Sequence, residues 1–415
     1  MLIQSKRFLI LVVMVTLVQC LQVSAQYKGT ASVTQGLGTT VTTNLLNCTG
    51  GRVAAVGTIK ASDGTTWTVP AVVQYQDALF PFAPDLYNDC NDNKYASYKE
   101  ALSKLTDKNI VVVDNDGEVI TAFIFADNYF EMYINGIPVG KDAVPFTTFN
   151  SSIVLFRVKQ PFTIAMKLVD WEERLGLGSE NNNGFAYHAG DGGMVAVFKD
   201  SLFNTVAVTN KHWKAQTFYT APITDLSCPA EQGAKRLSSN CSAKDTQDGS
   251  KYYGLHWSIP AGWMNREFND TDWPNATEYT NQEIGVDNKP AYTNFTTVFD
   301  DGTNDAQFIW STNVVLDNEV LVRYTVGSTT SVEEDIQHPI RCVPNPVGDN
   351  LTFSIRGLNE SDAPFTIQVY SVTGEVVFEQ AFFTTTVHVP SLSSGVYMVR
   401  IITGNGIRWI SVVVQ

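Results

Sequence analysis

The chain has 415 residues, longer than one ordinary domain, and its 44% hydrophobic and 11% aromatic content can fill more than one packed core. The formal charge is −14, which repels nucleic-acid phosphates and anionic membrane faces, so neither is an expected partner.

The first predicted element is an export signal. Lys6-Arg7 precede the apolar run Phe8–Val18, and Val23-Ser24-Ala25 place small residues before Gln26. This reads as a secretory signal peptide over 1–25, short for a membrane span. Lipid attachment at Cys20 is the competing reading, and the bulky Gln19 before it argues against that. No later apolar run approaches about 18 residues, so no transmembrane segment is expected in the mature chain.

Removing the signal leaves Cys48, Cys90, Cys228, Cys241 and Cys342, which in an oxidising compartment are expected to pair. Cys228 and Cys241 bracket a polar loop and form the first expected bridge. Cys48 with Cys90 follows by elimination, and Cys342 is left over.

From residue 26 onward the chain reads as β. Runs such as RVAAVGTI, NIVVVDNDGEVITAFIFA, FEMYINGIPV, SSIVLFRV, GMVAVF and EVLVRYTV are short, rich in Val, Ile, Phe and Tyr, and separated by Asn, Asp and Gly. Only Lys94–Asp107 has apolar residues at helical spacing. The expected fold class is all-β: jelly-roll or β-sandwich regions over 26–180 and 181–328, a polar linker at 329–339, and a small Ig-like β-sandwich over 340–415.

Within the first region, the loop PDLYNDCNDN carries Asp85, Asp89 and Asp92, a candidate calcium loop weighed against a solvated acidic loop. Asp114, Asn115, Asp116 and Glu118 lie between valine runs and read as a plain hairpin rather than an EF-hand. Asn135-Gly136 is a strong turn signal, since both residues tolerate positive φ. Asp127 and Asn128 just before it are candidate ligand residues, weighed against a structural turn.

Aromatic rings grip sugars by stacking on pyranose C–H faces while polar side chains fix the hydroxyls. Trp171 in VDWEERLG and Trp213 in NKHWKAQ have polar neighbours and are the candidates for an exposed ring. Asp191 in YHAGDGGM is a candidate ligand residue in a glycine turn. Glu172, Glu173 and Asp191 are the carboxylates in notable contexts for acid–base work. The five histidines are scattered, with no H-E-x-x-H, and neither G-x-S-x-G nor a phosphate-binding loop occurs.

Two resemblances extend this reading. Ala126–Gly136, ADNYFEMYING, resembles the hairpin of galactose-binding-like jelly rolls, and Gly262-Trp263 followed by Phe268–Ala276, FNDTDWPNA, resembles their opening motif. The order is reversed relative to one such domain, which means either two divergent copies or one domain with a large insertion; two copies are taken here.

At the C terminus, Pro344-Asn345-Pro346, then Leu351–Ile355, then Tyr370–Glu375 with Gly374, then Leu392–Val399 with Gly395 and Tyr397, resemble the C-terminal sorting domain of type IX secretion cargo of Bacteroidota. The prolines hold the opening extended and the glycines permit tight turns. The closing strand lacks the family's usual lysine. The resemblance implies the outer-membrane export machinery as partner and a secreted or cell-surface location. Eight N-x-S/T sequons, including Asn150 and Asn350, keep a eukaryotic glycoprotein as the other source.

The expected function is non-catalytic carbohydrate binding or adhesion, with glycans as partners and calcium as the one cofactor considered. The alternatives are a glycoside hydrolase-like enzyme and a structural surface protein.

Overall fold

The computed structural model describes residues 27–182, 185–244, 249, 252–302, 306–327, 341–343, 352–356, 364–384, 386–389, 392–403 and 406–414. The signal segment, the linker 329–339 and Pro344-Asn345-Pro346 lie outside the described residues. The chain divides into two compact units, Met1–Ser328 and Thr329–Gln415.

In the first unit, a seven-stranded antiparallel sheet runs in the order Ser32–Gln35, Tyr253–His256, Lys214–Ile223, Asp317–Val326, Phe162–Val169, Tyr129–Ile134, Ile137–Lys141. The main path of a second sheet runs Thr277–Tyr279, Phe308–Trp310, Gly193–Lys199, Glu118–Asp127, Ser151–Val158, Asp85–Asn88, Asn93–Lys94. Their facing side chains make one core. Phe130, Met132, Ile164, Met166, Leu168, Val320 and Val322 of the first sheet share it with Ile124, Ala196 and Phe198 of the second.

Both sheets are also covered on their other faces. Trp257, Trp263 and Trp273 pack on Tyr133, Ala165, Phe218 and Leu321 of the first sheet. On the second, Tyr98 from the helix Tyr98–Ser103 meets Phe123, and Tyr292 from the helix Pro290–Thr293 meets Phe125. Double burial removes the in–out alternation of a one-faced sheet, which is why all eight residues of Phe162–Val169 are buried.

The boundary expected at residue 180 is not a boundary of the fold. Phe162–Val169 pairs along its whole length with Asp317–Val326, and Glu118–Asp127 pairs with Gly193–Lys199. Strands from before and after residue 180 are neighbours in both sheets, because the apolar faces of each half close only on the other. One sandwich replaces the two separate regions.

Local signals hold where they depend on adjacent residues. Asn135 (φ 51°) and Gly136 (φ 87°) turn Tyr129–Ile134 back onto Ile137–Lys141. Cys48 is bonded to Cys90 and Cys228 to Cys241. The helix expected over Lys94–Asp107 is shorter, Tyr98–Ser103, begun where the Ser97 side chain accepts from the Glu100 amide. The turn at 114–117 forms, but the strands flanking it do not pair with each other. Ile110–Val112 lies parallel to Ser151–Val158, while Glu118–Asp127 lies antiparallel to it.

In the second unit, Val376–Phe382, Phe365–Tyr370, Gly395–Thr403 and Gly406–Val414 form an antiparallel sheet, and Arg341–Val343, Thr352–Arg356 and Thr386–His388 form another. Ile367, Val369, Val389, Tyr397, Val399, Ile401, Val412 and Val414 make the core. Gly374 (φ 85°) closes the tight turn in which the Ser371 amide donates to the Glu375 carbonyl. Gly395 opens its strand, and the Tyr397 hydroxyl donates to the Ser393 carbonyl at 2.8 Å.

Candidate functional site

Four segments bring four carboxylates together in the sandwich. Asp127 closes its strand opposite Gly193. Asp170 directly follows Phe162–Val169 of the other sheet, its amide donating to the Asn318 carbonyl at 2.9 Å. Glu180 begins the short strand Glu180–Asn182, and Asp191 lies in the glycine turn before Gly193–Lys199. Gly190 is the pivot: a Cβ there would stand 3.0 and 3.1 Å from the two Asp170 oxygens and 3.3 Å from Glu180 Oε1. Asp170 and Glu180 therefore face the same bare stretch of backbone.

The charge is poorly balanced. Arg52 pairs with Glu180 and lies 3.8 Å from Glu173, and Lys289 acts on Asp127 and Asp191. Burial, reinforced by the charges of Asp191 and Glu180, pushes the Asp127 carboxyl well above the ordinary range. Burial followed by Glu180, Asp127 and Asp191 does the same to Asp170. Glu180 and Asp191 are also raised by burial, with Arg52 and Lys289 respectively pulling the other way. Among the described residues, Asp170 Oδ1 is buried with no hydrogen-bond partner. The cluster reaches the surface at half-exposed Gly190 and Asp191 and exposed His188.

Several residues expected at a site do converge here. Asn128 Nδ2 donates to Asp127 Oδ1 at 2.6 Å, and Asn128 Oδ1 accepts from the Trp171 amide at 2.6 Å. Asp127, Asn128 and Asp191 thus belong to one locality, and Trp171 touches it through its backbone. Its ring does not serve as a platform. Trp171 is 1% exposed, stands edge-on to Tyr129, and its Nε1 donates to the Ala55 carbonyl.

Trp213 lies elsewhere, 0% exposed between Phe198 of one sheet and Tyr324 of the other. The exposure expected of both tryptophans is corrected: polar sequence neighbours do not keep a ring out of a core that both sheets close. Glu172 organises a turn, accepting from the Gly176 and Gly178 amides and from the Tyr219 hydroxyl.

The acidic loop around Cys90 is bonded within itself. Asp85 accepts from the side-chain amides of Asn88, Asn91 and Asn93, each at 2.7 Å. Asp89 pairs with Lys94 at 2.6 Å, and Asp92 is exposed in a left-handed turn. The carboxylates of Asp85 and Asp89 are occupied by donors from their own loop. Among the described residues, no group of three or more His, Cys, Asp or Glu side chains is placed to hold a metal ion.

Asp170, Glu180, Arg52 and Lys289 were not singled out from the sequence. The only local signal was Asp170 at the end of an apolar run, beside Trp171.

Residues 342–415 match the family described as the secretion system C-terminal sorting domain. The end of the chain is a type IX sorting domain. The protein is accordingly exported and delivered to the cell surface or medium by the type IX machinery. No helix among the described residues is long and apolar enough to cross a membrane.

Two solved structures are similar in part. PorZ, described as an essential bacterial surface component of the type-IX secretion system of Porphyromonas gingivalis, shows 19% identity over 26% of this chain and 15% of that one, with a TM-score of 0.17. A Faecalibacterium prausnitzii β-glucuronidase shows 11% identity over 93% of this chain and 47% of that one, with a TM-score of 0.15. At these scores neither likeness bears on the sandwich or its activity. No curated protein matches the chain.

Proposed function

We propose that the sandwich of residues 27–327 is a glycan-binding body displayed or released by the sorting domain, and that it binds saccharide at the cluster of Asp127, Asp170, Glu180 and Asp191. The observation that carries this reading is Asp170 Oδ1, buried and without a partner, beside an aspartate that reaches the surface. A sugar hydroxyl is a donor of the kind this buried oxygen lacks. The resemblance of Ala126–Gly136 and Gly262–Ala276 to galactose-binding-like jelly rolls supports the same reading.

A second reading, polysaccharide processing, has one observation in its favour. Arg52 bonds Glu180 and favours its ionised form, whereas burial and three neighbouring carboxylates favour the protonated form of Asp170. Two carboxyls whose surroundings pull their proton affinities apart are what glycoside cleavage requires.

One experiment separates the two. The full exported chain is applied to a broad glycan array, and each retained polysaccharide is then assayed for release of reducing ends. Retention without release supports the binding reading, release supports the enzyme, and a blank array contradicts both.

A further inference from the structure

A recess shares no lining residue with the carboxylate cluster. It encloses about 580 Å³, a volume within the roughly 300–1,000 Å³ range of small-ligand sites. Ala31, Val33, Thr34 and Gln35 line it, and Val33 and Gln35 are alternate positions of the edge strand Ser32–Gln35, so these two share a face. Across from them stand Lys60, Ala61 and Ser62 of a turn that is fixed by the Ser62 amide donating to the Val33 carbonyl at 2.9 Å. Tyr27, Leu226 and Tyr253 complete the walls, and Tyr253 is the cross-strand partner of Gln35.

One wall is built in advance by a distant segment. The Tyr27 hydroxyl donates to Glu231, which also accepts from the Thr30 amide and hydroxyl, both at 2.9 Å, and from Trp257 Nε1 at 3.1 Å. Glu231 sits in the hairpin of Ala230–Gln232 with Lys235–Leu237, inside the loop closed by Cys228–Cys241. The Tyr27 ring is thereby held in place without any ligand.

We propose that this recess is a separate saccharide site, taking one or two sugar rings. The proposal shares the glycan-binding reading but rests on different residues. Tyr27 and Tyr253 offer ring surface to pyranose C–H faces, over a floor of Ala31, Val33 and Leu226. Gln35, Lys60 and Ser62 are exposed at the rim and supply donors and acceptors for hydroxyls. No lining residue is acidic, so a saccharide bearing a carboxylate is admitted alongside neutral ones.

The test is calorimetric titration of the full exported chain with cellobiose, maltose, xylobiose and glucuronic acid. The Gln35→Ala/Lys60→Ala double variant changes only exposed side chains and spares the fold. Tyr253→Ala removes a ring, and Tyr253→Phe keeps it. The expected result is binding of at least one of these sugars that weakens about tenfold or more in Tyr253→Ala and in the double variant. It persists in Tyr253→Phe. Binding that is lost in Asp191→Asn but unmoved by the recess variants overturns this site and leaves the carboxylate site standing. No binding of any of the four sugars overturns it too.

Discussion

The carboxylates of Asp170 and Glu180 converge on the Cα of Gly190, within 3.0–3.3 Å of where a side chain would begin. Neither arrangement nor residue serves the core: Asp170 keeps an oxygen without a partner, and Glu180 relies on Arg52. Such groups cost stability, and strongly perturbed carboxyls cluster at functional sites.

The buried carboxyls should make stability fall as pH rises from acid to neutral, against an opposite contribution from His256, which burial lowers to about 3. Each carboxyl whose folded-state value lies above its unfolded value, about 4, binds more protons folded than unfolded, so its contribution is present at low pH and lost on the way up. For Glu172 and Asp142, both pushed up to about 7 by burial, the window runs from about 4 to about 7. The cluster of Asp127 and Asp170 extends it upward. Asp170→Asn should therefore raise the thermal midpoint by a few degrees at pH 8 and change it little at pH 5. Melting curves across pH check this, and an equal effect at both values contradicts it.

Gly190→Ala should destabilise the protein by about 1–3 kcal/mol, the usual cost of overpacking. The added methyl meets oxygens of two carboxylates that are themselves confined. In combination with Asp170→Ala most of that loss should disappear, which a double-mutant cycle in urea measures.

The contrast between legible and illegible features follows from range. Asn135-Gly136 makes its hairpin because the conformations its turn needs belong to those two residues alone. The Cys228–Cys241 bridge closes a short polar loop and is equally local. Asp170 and Glu180, by contrast, become one site only after a strand, a glycine turn and a crossover are in place, and nothing adjacent to either residue reports it. Trp213 shows the same limit: His212 and Lys214 flank it, yet the stacking partners that bury it are Phe198 and Tyr324. The sorting domain was legible because its motifs are consecutive hairpins, read in order along the chain.

Trp213→Ala should cost about 3–5 kcal/mol in chemical denaturation, as for a large aromatic removed from a core. Glycan binding per folded molecule should be unchanged. A stable variant that has lost binding would return Trp213 to the site.

Removing the Cys48–Cys90 bridge, which spans 42 residues, should cost about 4 kcal/mol by loop entropy, and removing Cys228–Cys241, which spans 13, about 3 kcal/mol. The two double-serine variants differ in a second way. Only loss of Cys228–Cys241 frees the hairpin that carries Glu231, so only that variant should weaken disaccharide binding at the Tyr27–Tyr253 recess.

The most direct test of the central claim is glycan retention by the full exported chain and by its Asp191→Asn variant, measured side by side on the same immobilised array. Selective retention by the native chain is expected, with at least one retained glycan lost, by about tenfold or more, in a variant that melts at the same temperature or higher. Retention that is identical in both proteins, or absent from both, would contradict a glycan site at the carboxylate cluster.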